Sequence, residues 1–494
     1  MPLRGAEVKR MPARPVVAII GGGFTGAACA YHLVRRLPVG AARIVVFEPR
    51  AMLGGGLAYD TDETTHRINV PATRMSLLPD DGDHFQRWLV RSGTLADDPE
   101  AVTPEGHAFA RRSAFGRYVS DNLAPLVASG AIEHRRSRVR ALTAARSGRW
   151  HVETGDGPAL EADIVVVATT HPSPQPPATL HRALSGRAGY IPDATVPGAL
   201  SGIAPDDRVL VVGTGLTAAD VIATLDAAGH RGRITAVSRR GLRARGHNLS
   251  AQEPFGEFAD PPSRSARALL RRIREGLVQA DAAGLSWHAV FDRVRGQGGD
   301  IWRSLPVAER RRVARFLRPY WDVHRFRIAP QVEAVIDRRL AAGTLSFHAA
   351  AIAGVTCPAE GGIAVDFRPR HGREPFQETY GSLIVTTGPG HASVLSSQPF
   401  LAGLATAGDL QPDAVGLGIA VDERSRAIGT DGQALNSLYI AGPLARGTFG
   451  ELMGLPQVTD HAVFVAEDIV RQMNATATFR SRQSSYHGDH DIAG

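Results

Sequence analysis

The sequence predicts an α/β protein assembled from two copies of one strand–turn–helix unit, on the strength of three observations. An apolar strand runs into a glycine-rich turn twice, at residues 16–26 and again at residues 208–220. Each turn is followed by a second apolar strand with a polar end: Glu48 closes the first, and Ser238, Arg239 and Arg240 close the second. Two further apolar strands, at residues 162–170 and 382–388, lie where a chain would cross between two such units. At 494 residues the chain has room for about three units of ~150 residues.

Composition narrows the class. Hydrophobic residues make up 43% and charged residues 21%, which is globular composition and excludes wholesale disorder. Two cysteines, Cys29 and Cys357, exclude a disulfide scaffold, a four-cysteine zinc site and a CxxC redox pair, and fit a cytoplasmic protein. The single lysine, Lys9, leaves none for a Schiff base or a P-loop in the folded body. No set of His, Asp and Glu has metal-ligand spacing, so no metal site is expected.

The first element carries a hydropathy trap. Residues 15–34 contain no Asp, Glu, Lys or Arg and follow Lys9, Arg10 and Arg14, as a signal peptide or short anchor would. Three glycines and a threonine in its middle instead suit a buried strand, a turn and a helix. No other stretch approaches the ~20 apolar residues of a spanning helix, so no membrane association is expected.

In this turn Gly21 permits the tight bend, Gly23 lets the backbone approach a pyrophosphate, and Gly26 lets the helix pack on the strand, with Gly22 counted among the cofactor-binding residues. The helix beginning near Phe24 and Thr25 offers free N–H groups and a positive dipole end to phosphate. Glu48 follows 22 residues after Gly26, where a carboxylate accepts both ribose hydroxyls and repels a 2′-phosphate.

The second turn reads Gly213, Thr214, Gly215, Leu216, Thr217 and then Ala218 in the third small position. Its second strand ends in Ser238, Arg239 and Arg240, where guanidiniums can stack on adenine and grip a 2′-phosphate. Surface arginines without a ligand are the alternative. The two ends together suggest FAD in the first unit and NADPH in the second, in a pair of Rossmann-like domains.

Residues from about 248 to 330 are too long for a loop within the second unit. Leu269, Leu270, Ile273 and Leu277 have helical spacing, as do Val313, Phe316 and Leu317, so a helical insertion or lid carrying Trp287, Trp302 and Trp321 is expected. The net charge of the chain is +7, but Arg264 to Arg327 alone contributes +9, with fifteen arginines against six acids. That patch reads as a solvated face, a guide for an anionic cofactor or substrate, or a dock for an acidic protein partner. Nucleic acid is not expected, because an anionic cofactor already accounts for the charge.

With these motifs the chain resembles the bacterial FAD/NAD(P)-binding protein family of two-dinucleotide-binding-domain flavoproteins. More distantly it is similar to flavin-dependent N-hydroxylating monooxygenases. The resemblance covers residues 14–475 and rests on the first turn, residues 54–59, residues 66–72, Met75, residues 238–241, residues 321–325, and Gly442-Pro443 with residues 447–449. It implies FAD and NADPH as cofactors, with Pro49, Arg50, Gly56, Ala58, Asn69, Met75, Val139, Thr169, Gly442 and Pro443 along the FAD. Asn69 is then a flavin neighbour able to donate to a flavin carbonyl or to oxygen, with a self-bonded turn residue as its alternative; for Met75 the alternative is a core methionine. Pro443 stands where disulfide-reductase-type relatives carry an aspartate, and no intact Baeyer–Villiger motif is present.

His324 and Arg325 sit in the densest polar cluster of the insertion, with Asp322 and Arg327. Arg325 could clamp a substrate carboxylate and His324 exchange protons; an Asp322–Arg325 helix-surface pair at i,i+3 is the alternative. The domain plan is FAD-binding at 14–170 and 389–475, and NADPH-binding at 171–388 containing the insertion at 248–335. Residues 1–13 and 476–494 are expected to be disordered, with Met11 a candidate start. The resemblance implies an NADPH-dependent monooxygenase acting with O2, through a C4a-(hydro)peroxyflavin, on a small-molecule heteroatom. An amine or amino acid is favoured. A flavin reductase or dehydrogenase that does not use O2, and a cofactor-binding sensor or docking protein, stay open.

Overall fold

The structure is a computed structural model. It describes residues 14–488 apart from 170, 171, 173, 371, 373, 389, 391 and 392, with side chains described to residue 475. The expectations for residues 1–13, Met11 and residues 489–494 lie outside the described residues.

Five consecutive apolar residues make β1 (Val16–Ile20) a strand buried on both faces, as a central parallel strand must be. The chain continues through α1 (Phe24–Arg36), β2 (Arg43–Phe47) and the short helices α2 (Gly56–Tyr59) and α3 (His84–Arg91). Next come α4 (Arg112–Ala128) and β3 (Ile132–Arg135). An antiparallel ribbon follows, β4 (Val139–Ala144), β5 (Trp150–Thr154) and β6 (Leu160–Ala162), before β7 (Ile164–Val167) returns beside β1.

The second unit runs from α5 (Ala178–Leu184) and β8 (Tyr190–Ile191) to β9 (Val209–Val212), α6 (Leu216–Ala227) and β10 (Ile234–Ser238). The insertion follows as α7 (Ala266–Ala282), α8 (Trp287–Gly296), α9 (Gly298–Ser304), α10 (Val307–Arg312), a π-helical turn over Val313–Leu317 and α11 (Arg318–Arg325). Then α12 (Pro330–Ala341) packs on α6, and β11 (Leu345–Thr356), β12 (Ile363–Pro369), β13 (Phe376–Tyr380) and β14 (Ser382–Val385) complete the unit. The last part holds α13 (Pro399–Ala407), β15 (Arg426–Ile428), β16 (Ala434–Ile440), α14 (Arg446–Phe449) and α15 (Gln457–Gly488).

Two sheets result. One is ordered β15-β16-β7-β1-β2-β3, parallel except at the β15 edge; the other is β13-β12-β11-β10-β9-β14-β8, parallel from β8 to β11. In each, the glycine turn leaves the carboxyl end of a central strand, where open α/β sheets bind ligands. The chain enters the first sheet from both ends of the sequence: β16 pairs with β7, and α15 packs on α1. The two units touch through Arg112 on α4, which bonds Asp220 on α6, and through a Thr65–Thr224 hydroxyl contact at 2.9 Å.

Three sequence expectations need correction. Residues 476–488, expected to be disordered, continue helix α15 to Gly488, and no proline or glycine interrupts it before that residue. Phe316 does not share the apolar face of Val313 and Leu317; the π turn rotates it outward to 52% exposure. Asp322 and Arg325 do not pair, since Asp322 meets Arg318 one turn back and Arg325 meets Glu451.

Candidate functional site

A cavity of about 450 Å³ opens at the end of β1, within the usual range for small-molecule sites. Close packing demands glycine at several positions of the turn. A Cβ on Gly26 would lie 1.9 Å from the Gly21 carbonyl oxygen, and one on Gly22 would meet Glu48 and Leu53 at 2.6 Å. Gly21 itself has φ +99°. Gly23 caps α1 and, lacking a side chain, makes no cap bond to its first N–H groups.

Glu48 is buried at the end of β2 and is held from two sides. Its carboxylate accepts the Gly22 N–H at 3.0 Å, the Arg50 N–H at 3.1 Å and an Arg50 guanidinium N–H at 3.2 Å. A carboxylate has about four acceptor positions, so capacity remains for ribose hydroxyls. Across the cavity the Thr169 hydroxyl is buried and has no hydrogen-bond partner. Such an orphan costs roughly 1–3 kcal/mol unless a ligand atom meets it.

The structure places Gly21, Gly23, Phe24, Thr25, Glu48, Pro49, Arg50, Gly56, Ala58, Val139, Thr169 and Pro443 around this one cavity. Gly22 and Gly26 lie behind it as packing residues. Gly442 also stands one layer back: φ is +73°, and a Cβ there would meet the Thr25 side chain at 2.7 Å. Asn69 and Met75 are not on the wall. Met75 is a core residue at 3% exposure, and Asn69 offers its backbone carbonyl to His247 at 3.0 Å.

Other wall residues carried no sequence signal. Ser137, Arg138, Ser397, Gln398 and Phe400 arrive from distant segments, Met453, Gly454 and Leu455 from the approach to α15, and Val458 from its first turn. Behind Gly442 stands His461, whose Nδ1 accepts the Gly442 N–H at 3.1 Å, which leaves Nε2 to face the Ser425 hydroxyl at 3.2 Å. Complete burial lowers the His461 pKa to about 3, so the ring is neutral and can accept.

The second turn is built differently. Gly213, at φ +131°, fits against Thr386, where a Cβ would approach the hydroxyl to 2.3 Å. Gly215 is exposed and has open space around it. It caps α6, again without a side-chain bond, so the amino end of Leu216 and Thr217 is accessible. Thr214 donates to the Leu242 carbonyl at 2.5 Å and touches Ser238 Oγ, which in turn accepts the Gly241 N–H. Arg239 is exposed, and the Arg240 guanidinium rests 5.5 Å from the Tyr320 ring centre on α11.

In the insertion, Arg325 is buried against Glu451 and its guanidinium lies over Phe326. His324 stacks on Phe291, its Nδ1 lies 2.7 Å from the Tyr320 carbonyl, and burial lowers its pKa. Neither stands at the FAD-type cavity; both belong to the region of a second cavity described below.

Comparison with known proteins agrees with this architecture. Residues 18–172 match the family model described as FAD-NAD(P)-binding. No curated protein matches the sequence. Among solved structures, the ornithine hydroxylase from Pseudomonas aeruginosa is 16% identical with a TM-score of 0.62, over 93% of this chain and 99% of that one. The FAD-bound cadaverine monooxygenase from Erwinia amylovora is 14% identical with a TM-score of 0.62, over 93% and 94%. The ornithine N-hydroxylase from Kutzneria sp. 744, with FADred, NADP+ and L-orn, is 18% identical with a TM-score of 0.58, over 94% and 100%. The α/β fold with Rossmann-like units expected from the sequence is therefore the fold observed, and the match to the FAD-NAD(P)-binding model spans residues 18–172. No helix among the described residues is long and apolar enough to cross a membrane.

Proposed function

We propose that the protein is an NADPH-dependent flavoprotein monooxygenase that places one oxygen atom of O2 on a small-molecule amine. The observation that carries this reading is the contrast between two nucleotide turns in one chain. The first encloses a cavity with a buried carboxylate and an unpartnered buried hydroxyl; the second is open and edged with arginine. An enclosed cofactor that stays and a phosphorylated donor that leaves are what a two-cofactor oxidoreductase needs. The named activities of proteins with this fold, ornithine hydroxylase and cadaverine monooxygenase, support an amine as acceptor.

In this reading Glu48 holds the adenosine ribose of FAD, the free end of α1 meets its pyrophosphate, and Thr169 binds a polar atom of the cofactor. FAD, when bound, supplies electron transfer from NADPH and oxygen activation. The chain's own part is positioning and exclusion of water. His461, kept neutral, fixes the Gly442 turn against Thr25, and Arg239 and Arg240 select the 2′-phosphate of NADPH at the second turn.

The test is anaerobic mixing of the flavin-loaded protein with NADPH or NADH. Bleaching of the flavin band at least tenfold faster at low NADPH, followed by hydroxylamine formation when air and an amine are admitted, is the expected result. Product formed without O2 would identify a dehydrogenase instead.

A further inference from the structure

A second cavity, of about 520 Å³, lies between the helical insertion and the segment around residues 446–453. Its walls are apolar side chains of four helices, among them Leu269, Ile273 and Leu277 on α7, Phe291 on α8, and Ile301 and Trp302 on α9. The polar edge of Trp302 is already committed, because Nε1 donates to the Gly447 carbonyl at 2.9 Å, so the ring serves as wall. The π turn matters here. One wide turn between α10 and α11 directs Val313, Ala314 and Leu317 into the cavity and opens the helix pair, a device that recurs at binding sites.

Apart from the exposed Arg274 on α7, the charged lining residues gather around residues 318–322 and 446–451 and are held by partners. Asp322 pairs with Arg318, Glu451 with Arg325, and Arg446 donates to the Leu417 carbonyl at 3.2 Å. Burial pushes the Asp322 carboxyl up and the Arg446 guanidinium down to about 10; Arg446 is buried, whereas Asp322 and Arg318 stay about a third exposed. Met453 lines this cavity and the cofactor cavity alike, and Gly454 and Leu455 continue the cofactor side. The two spaces therefore adjoin through one short segment, and a molecule held by the insertion can present one end to the reacting region.

We propose that this cavity is the substrate site, and that it takes an amine borne on a single long alkyl or aryl body, not a diamino acid. A diamino acid would bring an α-ammonium and an α-carboxylate to a lining that is mostly apolar and whose Asp322, Glu451 and Arg318 are already paired, with exposed Arg274 as the remaining charged contact; each unpaired charge taken out of water is costly. An alkyl or aryl body instead gains from every buried methylene. The assignment of an amine rests on the monooxygenase reading above, whereas the apolar body rests on the cavity alone.

The test is titration calorimetry of the oxidised, flavin-loaded protein with n-butylamine through n-octylamine, phenethylamine, L-ornithine and L-lysine. Each added methylene is expected to tighten binding about fourfold, equivalent to about 0.8 kcal/mol. Both diamino acids are expected to bind at least tenfold more weakly than n-hexylamine. Filling the cavity with Ile273→Trp should abolish the chain-length dependence while the flavin spectrum and content stay unchanged. Val278→Ser, on the outer face of α7 at 71% exposure, should keep it. A flat series, or diamino acids that bind more tightly than the alkylamines, overturns the cavity assignment. Length-dependent binding without any O2-dependent product upholds the cavity and overturns the monooxygenase. Product formation with a flat series does the reverse.

Discussion

The two glycine turns share a sequence pattern and differ in what surrounds them. Their first glycines are both tightly packed, but at the first turn Gly23 faces Gly56 at 3.4 Å, Gly26 is pressed by the Gly21 carbonyl, and Glu48 is buried with three donors on its carboxylate. At the second, Gly215 has empty space, Ala218 replaces the third glycine, and Arg239 stands in solvent. The same motif therefore builds a closed cradle in one place and an open one in the other. A cofactor retained through many turnovers needs the first kind, and one exchanged at each turnover needs the second.

The largest expected break in this comparison is Gly26→Ala. Its Cβ would collide with backbone, so the cost is about 3 kcal/mol or more, and the purified protein should lose its flavin; retained flavin absorbance with an unchanged unfolding midpoint would contradict the closed-cradle account. Next in size is removal of the arginine pair. Arg239→Ala with Arg240→Ala should raise the KM for NADPH by about thirtyfold, roughly 2 kcal/mol of lost charge-assisted bonding, and leave NADH kinetics and flavin content alone. Equal loss with both nucleotides would show that the arginines do not read the 2′-phosphate.

His461 sharpens the comparison through pH. Its folded pKa is depressed to about 3 from 6.5, so between those values the unfolded chain binds a proton that the folded one does not. Stability contributed by the neutral ring is complete above about pH 6.5 and is lost as pH falls toward 3, by about 2 kcal/mol at pH 5. Chemical unfolding at pH 7 and pH 5 should show this loss, reduced by one proton per molecule in His461→Asn; parallel pH profiles would contradict it. The smallest expected effect is that of Gly215→Ala. With nothing near its Cβ, stability should stay within about 0.5 kcal/mol and flavin should be retained, while the KM for NADPH rises.

These contrasts also show what the sequence could reveal. Gly21 to Gly26 and Glu48 were legible because strand, turn, helix and acid are spaced locally, and their packing consequences are fixed by backbone geometry. Helix α7 was legible from its spacing. Met453, Ser397 and Gln398 were not, because they reach the cavity from segments hundreds of residues away and carry no local pattern. His461 looks like any core histidine until Gly442 is seen to point at it. Phe316 shows the limit of periodicity itself: a single π turn shifts the phase, and an apolar residue expected inside faces water.

Isotope incorporation reads oxygen transfer to an amine without intermediary. Turnover of the flavin-loaded protein with NADPH and n-hexylamine under 18O2, followed by mass spectrometry of the product, should show a hydroxylamine carrying one 18O atom and one NADPH consumed per product. NADPH consumed with hydrogen peroxide as the only oxygen product, or an oxidised amine lacking label, would contradict the account.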